Sequence, residues 1–206
     1  MTFRINQLTL AETARELEDD PLHVLVIDTE TTGLGEADEV LQLSIINGYD
    51  RTVAFSHYEP ERVTEWPEAQ TVHGITPEYV RGEPRFRDDA RRIAGKLRQA
   101  RVVVGYNVYF DLRLLRQSGL PDIGTIRVFD VMFEMARIYG ERADWLPPGP
   151  DGKPPYKFQK LDTARKYYRL QWDGKAHNSM TDARMTLEVL RAMIKNRQED
   201  QTDTGT

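Results

Sequence analysis

Four carboxylates and one histidine carry the chemistry open to this chain. Asp28 and Glu30 close the apolar run "VLVIDTETTGL", residues 24–34. Asp111 lies in "VYFDLRLLRQ", Asp182 in "MTDARMTLEVL", and His177 stands five positions ahead of Asp182 in "AHNSMTD". Carboxylates at the end of a buried strand are costly unless an Arg, a helix N-terminus or a metal ion meets them. Each also has an ordinary reading. Asp182 can be the acidic member of a capping box begun by Ser179, Asp111 can favour the positive start of its helix with Asn107 as cap, and Asp28 and Glu30 can end a strand in solvent. Together, however, they are aimed at one region with no Lys or Arg inside the motifs, and like charges so placed repel unless a cation intervenes. All the donors are oxygens, which suits Mg²⁺ or Mn²⁺ rather than zinc. Such a set can hold two ions about 3.5–4 Å apart, one to activate a water and one to stabilise the leaving oxygen of an in-line phosphoryl displacement. His177 is the candidate general base, because a histidine can accept the water's proton at neutral pH.

The elements that must position these groups follow from hydrophobic periodicity. The run 24–27 and the stretch "RVVVGYN" read as buried strands that should lie side by side in the centre of a sheet. "EVLQLSIIN" and "RTVAFSHYE" read as two more strands joined by a hairpin turn at "GYD", and "TIRVFDV" as a fifth. Helices are expected at "LAETARELEDD", "FRDDARRIAGKLRQA", "VYFDLRLLRQSG", "MFEMARIYG", "KLDTARKYYRL" and "MTDARMTLEVLRAMIK". "EWPEAQTVHGITPEYV" reads as loop with a short helical turn, and "ERADWLPPGPDGKPPYKFQ" as a loop. Three strands followed by alternating strands and helices give an α/β fold, a mixed five-stranded sheet flanked by helices. In such sheets the working site gathers at the carboxyl ends of the central strands. In the last helix Arg184, Glu188, Arg191 and Lys195 form a solvent stripe, while Asp182 adjoins the buried one.

A chain of 206 residues with 39% hydrophobic and 30% charged residues suits one domain, taken here as residues 1–195. Residues 1–20 read as a peripheral extension and 196–206 as a disordered tail. No apolar run approaches a membrane span of roughly 20 residues, and the N-terminus does not read as a signal peptide. The absence of cysteine removes disulfides and thiolate metal sites and fits a reducing cytoplasm. A net charge of −5 neither advertises nor excludes nucleic acid, since a bound cation can reverse the local field.

"VIDTETTGL", "GYNVYFDLRLL" and "HNSMTDA" together resemble the three motifs of the DEDDh 3′–5′ exonuclease family, which includes the proofreading epsilon subunit of bacterial DNA polymerase III, RNase T and oligoribonuclease. The resemblance spans roughly residues 22 to 195 and implies a ribonuclease H-like fold. By the same resemblance Asp28 bridges two Mg²⁺ or Mn²⁺ ions, Glu30 and Asp182 bind the nucleophile-side ion, Asp111 serves the second, and His177 is the base. It further implies that Thr31, Thr32, Gly33 and Leu34 clamp the terminal nucleotide, with His73 in "VHGIT" and Asn107 beside it. Tyr106 departs from the pattern, because many relatives carry histidine there, and that bears on substrate fit. The implied partner is a nucleic acid 3′ end, DNA ahead of RNA, with a polymerase or other replication or repair protein.

"KPPYKFQKLDTARKYYR" interleaves Lys153, Lys157, Lys160, Arg165, Lys166 and Arg169 with Tyr156, Phe158, Tyr167 and Tyr168. It reads equally as a single-strand binding surface or as a solvated helix whose tyrosines complete the core. Two readings of another class stand beside the nuclease. A non-catalytic module would not need all five key residues, and an aspartyl-phosphate hydrolase would have Asp where Glu30 stands and no use for His177.

Overall fold

The computed structural model describes residues 3–174 and 176–203. Val24–Thr31 forms β2, and its first four residues are all buried apolar side chains. Such a run belongs in a strand covered on both faces. It pairs in parallel with β5 (Val102–Gly105), so the two most apolar strands are indeed neighbours. On its other side it pairs antiparallel with β3 (Val40–Asn47), which pairs antiparallel with β4 (Thr52–His57). Asn47 makes the β3–β4 turn, its side-chain oxygen accepting from the backbone N–H of Tyr49 and Arg51.

Among the described residues the sheet has six strands, one more than the pattern predicts, in the order β1 (Arg4–Gln7), β6 (Thr125–Asp130), β5, β2, β3 and β4. The addition is β1, which pairs in parallel with β6. Its four residues, Arg-Ile-Asn-Gln, are all exposed, so hydrophobic alternation could not reveal it. Backbone pairing holds it at the sheet edge, and the N-terminal segment is therefore part of the fold. Helix α1 (Leu10–Asp19) follows, started by a Thr9–Glu12 capping box and anchored by Glu16, which accepts from Arg101 and Arg127 at 2.6 and 2.7 Å.

Two short helices, α2 (Pro67–His73) and α3 (Pro77–Val80), occupy the segment expected to be mostly loop. Helices α4 (Phe86–Gln99) and α5 (Val108–Gln117) cover one sheet face, where Leu25 and Ile27 of β2 meet Ile93, Leu112 and Leu115. The other face packs Val24 and Val26 against Ala183, Leu187 and Leu190 of α8 (Ser179–Asp203), with α6 (Val131–Tyr139) and α7 (Leu161–Tyr167) beside it. Helix α8 runs on through residues 196–203, where a disordered tail is expected from sequence, and 204–206 lie outside the described residues. Because β2, β5 and β6 are mutually parallel, their carboxyl ends open on one edge, which carries the candidate site.

Candidate active site

Strand alternation sorts the carboxylates onto two faces. Asp28 and Glu30 continue the row of Val24 and Val26 toward α8, and there they meet Asp182 of its first turn. One oxygen from each of Asp28, Glu30 and Asp182 can be chosen so that all three lie within 4.8 Å of one another. Asp111 arrives from the α5 face and is not part of that close set. Its carboxylate accepts a 2.7 Å bond from Thr29 Oγ1, the residue between the other two acids, which points to the α5 side.

The charge balance of the site is repulsive. Burial, then Asp111, Asp182 and Glu30, push Asp28 well above the usual carboxylate range. Burial and the charges of Asp182 and Asp111 push Glu30 up to about 8. Burial lifts Asp111 to about 7 against the opposing hydrogen bonds from Thr29. Asp182 rises to about 6, again through burial, with His177 pulling the other way through its charge and backbone N–H. Asp182 Oδ1 is buried without a hydrogen-bond partner among the described residues. A donor set of clustered carboxylate oxygens, one of them orphaned, fits a hard divalent cation.

His177 is exposed on the rim beside Asp182, in the left-handed region with φ 60°. A non-glycine residue there is uncommon and holds its backbone against a local preference. Asn178 caps the helix behind it, its side chain accepting from Met180 N–H. Ser179 is not the start of a capping box. Its N–H and Oγ both donate to Gln42 Oε1, at 2.9 and 2.8 Å, and its Oγ lies 2.7 Å from Ser44 Oγ. Gln42 and Ser44 are the β3 partners of Glu30 and Asp28. The helix that brings Asp182 is thus pinned to the strand beside the other two acids. Gln42 and Ser44 were missed by the motif reading. Their signal was two polar residues two apart inside the buried run "VLQLSIIN".

Thr31, Thr32, Gly33 and Leu34 line a pocket of about 580 Å³ with Glu30, Trp66, Val72, His73 and Phe110. Its wall is set by a closed hydrogen-bond system. Asp38 Oδ1 accepts from Thr32 Oγ1 at 2.7 Å and its Oδ2 from the Gly35 N–H at 2.6 Å. Arg113 donates to the carbonyls of Leu34 and Gly35, and Gln117 to those of Gly35 and Asp38. A Cβ on Gly33 would meet the Asp38 carboxylate at 2.7 Å, so the close turn needs glycine. Leu34 is left 78% exposed at the mouth. His73 Nδ1 accepts from the Ile75 N–H, which leaves Nε2 to donate to the Thr31 carbonyl at 3.1 Å. That neutral tautomer agrees with the downward push that burial gives its pKa.

Asn107 lies at the head of α5 with φ 73° and makes no side-chain cap, contrary to the expectation from its position. Asp130 is the cap of α6 and also reaches back to this turn. Its Oδ1 accepts from the N–H groups of Asn107, Met132 and Phe133, tying the carboxyl ends of β5 and β6 together. Tyr106 donates through its hydroxyl to the Gln159 carbonyl at 2.8 Å and so faces the segment after α6.

A six-stranded mixed sheet with acids gathered at its carboxyl edge is the architecture of the ribonuclease H-like nucleases. The chain matches the exonuclease family over residues 25–190 and belongs to it. It is 31% identical over 198 residues to an uncharacterised exonuclease of Escherichia phage 186, covering 93% of this chain and 97% of that protein. RNA exonuclease 4 of Debaryomyces hansenii is 27% identical over 200 residues, covering 93% of this chain and 65% of its own length. DNA polymerase III subunit epsilon of Escherichia coli strain K12 is 24% identical over 187 residues, with 82% and 70% covered. The E. coli exonuclease I–single-stranded DNA complex shares the fold with a TM-score of 0.65 at 23% identity, covering 88% of this chain and 42% of that one. The chain therefore spans less than half the length of exonuclease I. These findings place it among the 3′–5′ exonucleases of the DEDDh type that its three motifs resemble.

Proposed function

We propose that the protein hydrolyses phosphodiester bonds at the 3′ end of DNA, on single strands or frayed ends, and releases nucleoside 5′-monophosphates. The observation that carries the reading is the juxtaposition of the close set Asp28, Glu30 and Asp182 with a preformed pocket of nucleotide size. Asp28, Glu30 and Asp182, with Asp111 approaching from the opposite face, would hold two Mg²⁺ or Mn²⁺ ions. When bound, such ions lower the pKa of a water and stabilise the charge on the leaving oxygen. The pocket receives the terminal nucleoside between Leu34 and Phe110, with Thr31, Thr32, Gly33 and His73 around it, and fixes the scissile phosphate over the acids, while Asn107 is not part of its lining. His177 on the open rim accepts the proton of the attacking water and returns it to solvent.

The DNA preference is supported by the likeness to the epsilon subunit and by the shared fold of an enzyme solved with single-stranded DNA. RNA is the second reading, favoured by the match to an RNA exonuclease. A polymerase or repair partner has the epsilon likeness in its support. No helix among the described residues is long and apolar enough to cross a membrane, and the cysteine-free composition supports placing the protein in the cytoplasm.

Incubating 5′-labelled DNA and RNA of matched sequence with Mg²⁺, Mn²⁺ or chelator tests the whole reading. A metal-dependent ladder shortening from the 3′ end, stronger on DNA and absent in Asp28→Ala, is expected. Cleavage that persists in chelator or in that variant would overturn the metal assignment. A stronger ladder on RNA would move the substrate to the second reading.

A further inference from the structure

Three consecutive residues in the first turn of α5 serve three different surroundings. Asp111 points to the carboxylates, Phe110 lines the nucleotide pocket, and Tyr109 stacks on Phe133 with ring centroids 5.6 Å apart. Phe133 in turn stacks on Phe158 at 5.1 Å and only 11° from parallel. This row of rings begins beside the acids and runs away from the pocket, toward the β6–β1 flank, where Tyr109 also reaches Gln7. It ends at the segment 141–158, expected from its prolines to be a loop but closed in the structure as a hairpin. Ala143 donates to Pro155, Lys157 to the Glu141 carbonyl and Gly149 to Lys153, and Arg142 bridges Tyr156 with its guanidinium 3.7 Å over that ring. Five prolines between 147 and 155 stiffen it, so little order remains to be gained on contact.

The hairpin presents Trp145 at 68% and Phe158 at 57% exposure, large apolar faces that a fold ordinarily covers. Residues 141–160 hold four basic and three acidic side chains in a chain of net charge −5, so the segment is less acidic than the chain as a whole. Lys153 and Lys160 are exposed and form no ion pair among the described residues. A polynucleotide with its 3′ nucleoside in the pocket and its last phosphodiester over the acids must leave on the side away from the pocket. That path leads along the aromatic row to the hairpin.

We propose that the hairpin 141–158 and the adjoining Lys160, with Trp145 and Phe158 as stacking faces and Lys153 and Lys160 as phosphate contacts, form the rest for the single strand upstream of the scissile bond. The proposal builds on the exonuclease reading and names a substrate class within it, strands long enough to reach the hairpin. Flexible single strands offer both the ring faces and the phosphates that such a surface takes.

The test compares a thymidine dodecamer with a dimer, each 5′-fluorescein-labelled, on the wild type and on Trp145→Ala and Phe158→Ala. Anisotropy in chelator reads affinity without catalysis. The dodecamer should lose about 5- to 100-fold in affinity, the range expected for one lost base–aromatic stack. The dimer, with a single nucleoside beyond the scissile bond, is too short to lie on the hairpin and should bind unchanged, and with Mg²⁺ added kcat on either length should hold. Equal weakening of both lengths would reduce the hairpin to a structural prop and overturn the proposal. Unchanged binding of the dodecamer by both variants would also overturn it and leave the surface to a protein partner. Absence of hydrolysis by the wild type in Mg²⁺ or Mn²⁺ would instead strike the exonuclease reading, separately from the binding result.

Discussion

The carboxylate cluster and the loop 32–38 sit side by side and are held in opposite ways. In the loop almost every polar group has a partner. Asp38 closes it from within, and Arg113 and Gln117 close it from α5. In the cluster, by contrast, burial raises all four acids, the charges of the neighbouring acids raise Asp28 and Glu30 further, and Asp182 Oδ1 has no partner among the described residues. The contrast shows where each region keeps its free energy. The pocket is already formed, so on the proposed reading little ordering cost would fall on nucleotide binding. Folding of the metal-free protein carries the cost of burying the acids together, and on the proposed reading a bound cation would offset it.

The sharpest break in this comparison is Asp28→Ala. It should abolish hydrolysis while raising the melting temperature of the metal-free protein, because it removes a buried carboxyl whose ionisation burial and the other acids oppose. A variant that is inactive and less stable in chelator would argue that the acids are not strained. Next in size is His177→Ala, expected to lower the rate about 10²–10⁴-fold with substrate affinity kept, read by single-turnover kinetics. A wild-type rate there would remove the histidine from proton transfer. On the satisfied side, Asp38→Ala loosens the loop without touching an acid. KM should rise about tenfold for the loss of two hydrogen bonds, with kcat nearly constant. A fall in kcat alone would mean that the loop positions the reacting phosphate rather than the nucleoside.

The smallest effect expected is on stability against pH in chelator. A carboxyl with a raised folded pKa favours the folded state while protonated. That advantage is complete below its unfolded value, near 4, and is lost as pH rises through the folded values, from about 6 for Asp182 to about 8 for Glu30. The melting temperature of the metal-free protein should therefore fall between pH 4 and 8 and recover on adding Mg²⁺. Asp28→Ala should flatten the slope. A flat wild-type profile would show that the acids do not strain one another.

The central architecture was legible because it rests on periodic patterns. The buried runs 24–27 and 102–104 named the neighbouring strands, and the inward lean of Asp182 on its helix followed from the apolar stripe of Ala183, Leu187 and Leu190. What escaped depends on backbone pairing or on partners distant in sequence. Strand β1 carries no buried side chain, so only its hydrogen bonds to β6 define it. Asn107 looked like a side-chain cap, but what fixes it is its own backbone N–H, donated to Asp130, 23 residues later. Thr29 sits inside the first motif, yet its bond to Asp111 needs the sheet's two faces to be known. Prolines hid the hairpin 141–158 because they announce only where the chain bends and not what it pairs with.

The start of α5 has a consequence for how this chain can vary. Tyr109, Phe110 and Asp111 are neighbours in sequence, and successive helical residues are turned by about 100°. Adding or deleting one residue between Asn107 and Tyr109 would hand each duty to the next side chain, with the acid swung toward the pocket or toward the aromatic row. Substitutions in this turn can be graded, but changes of length cannot. A library of single-residue insertions along α5 should accordingly show an abrupt dead zone at its first turn and tolerance returning toward Ser118.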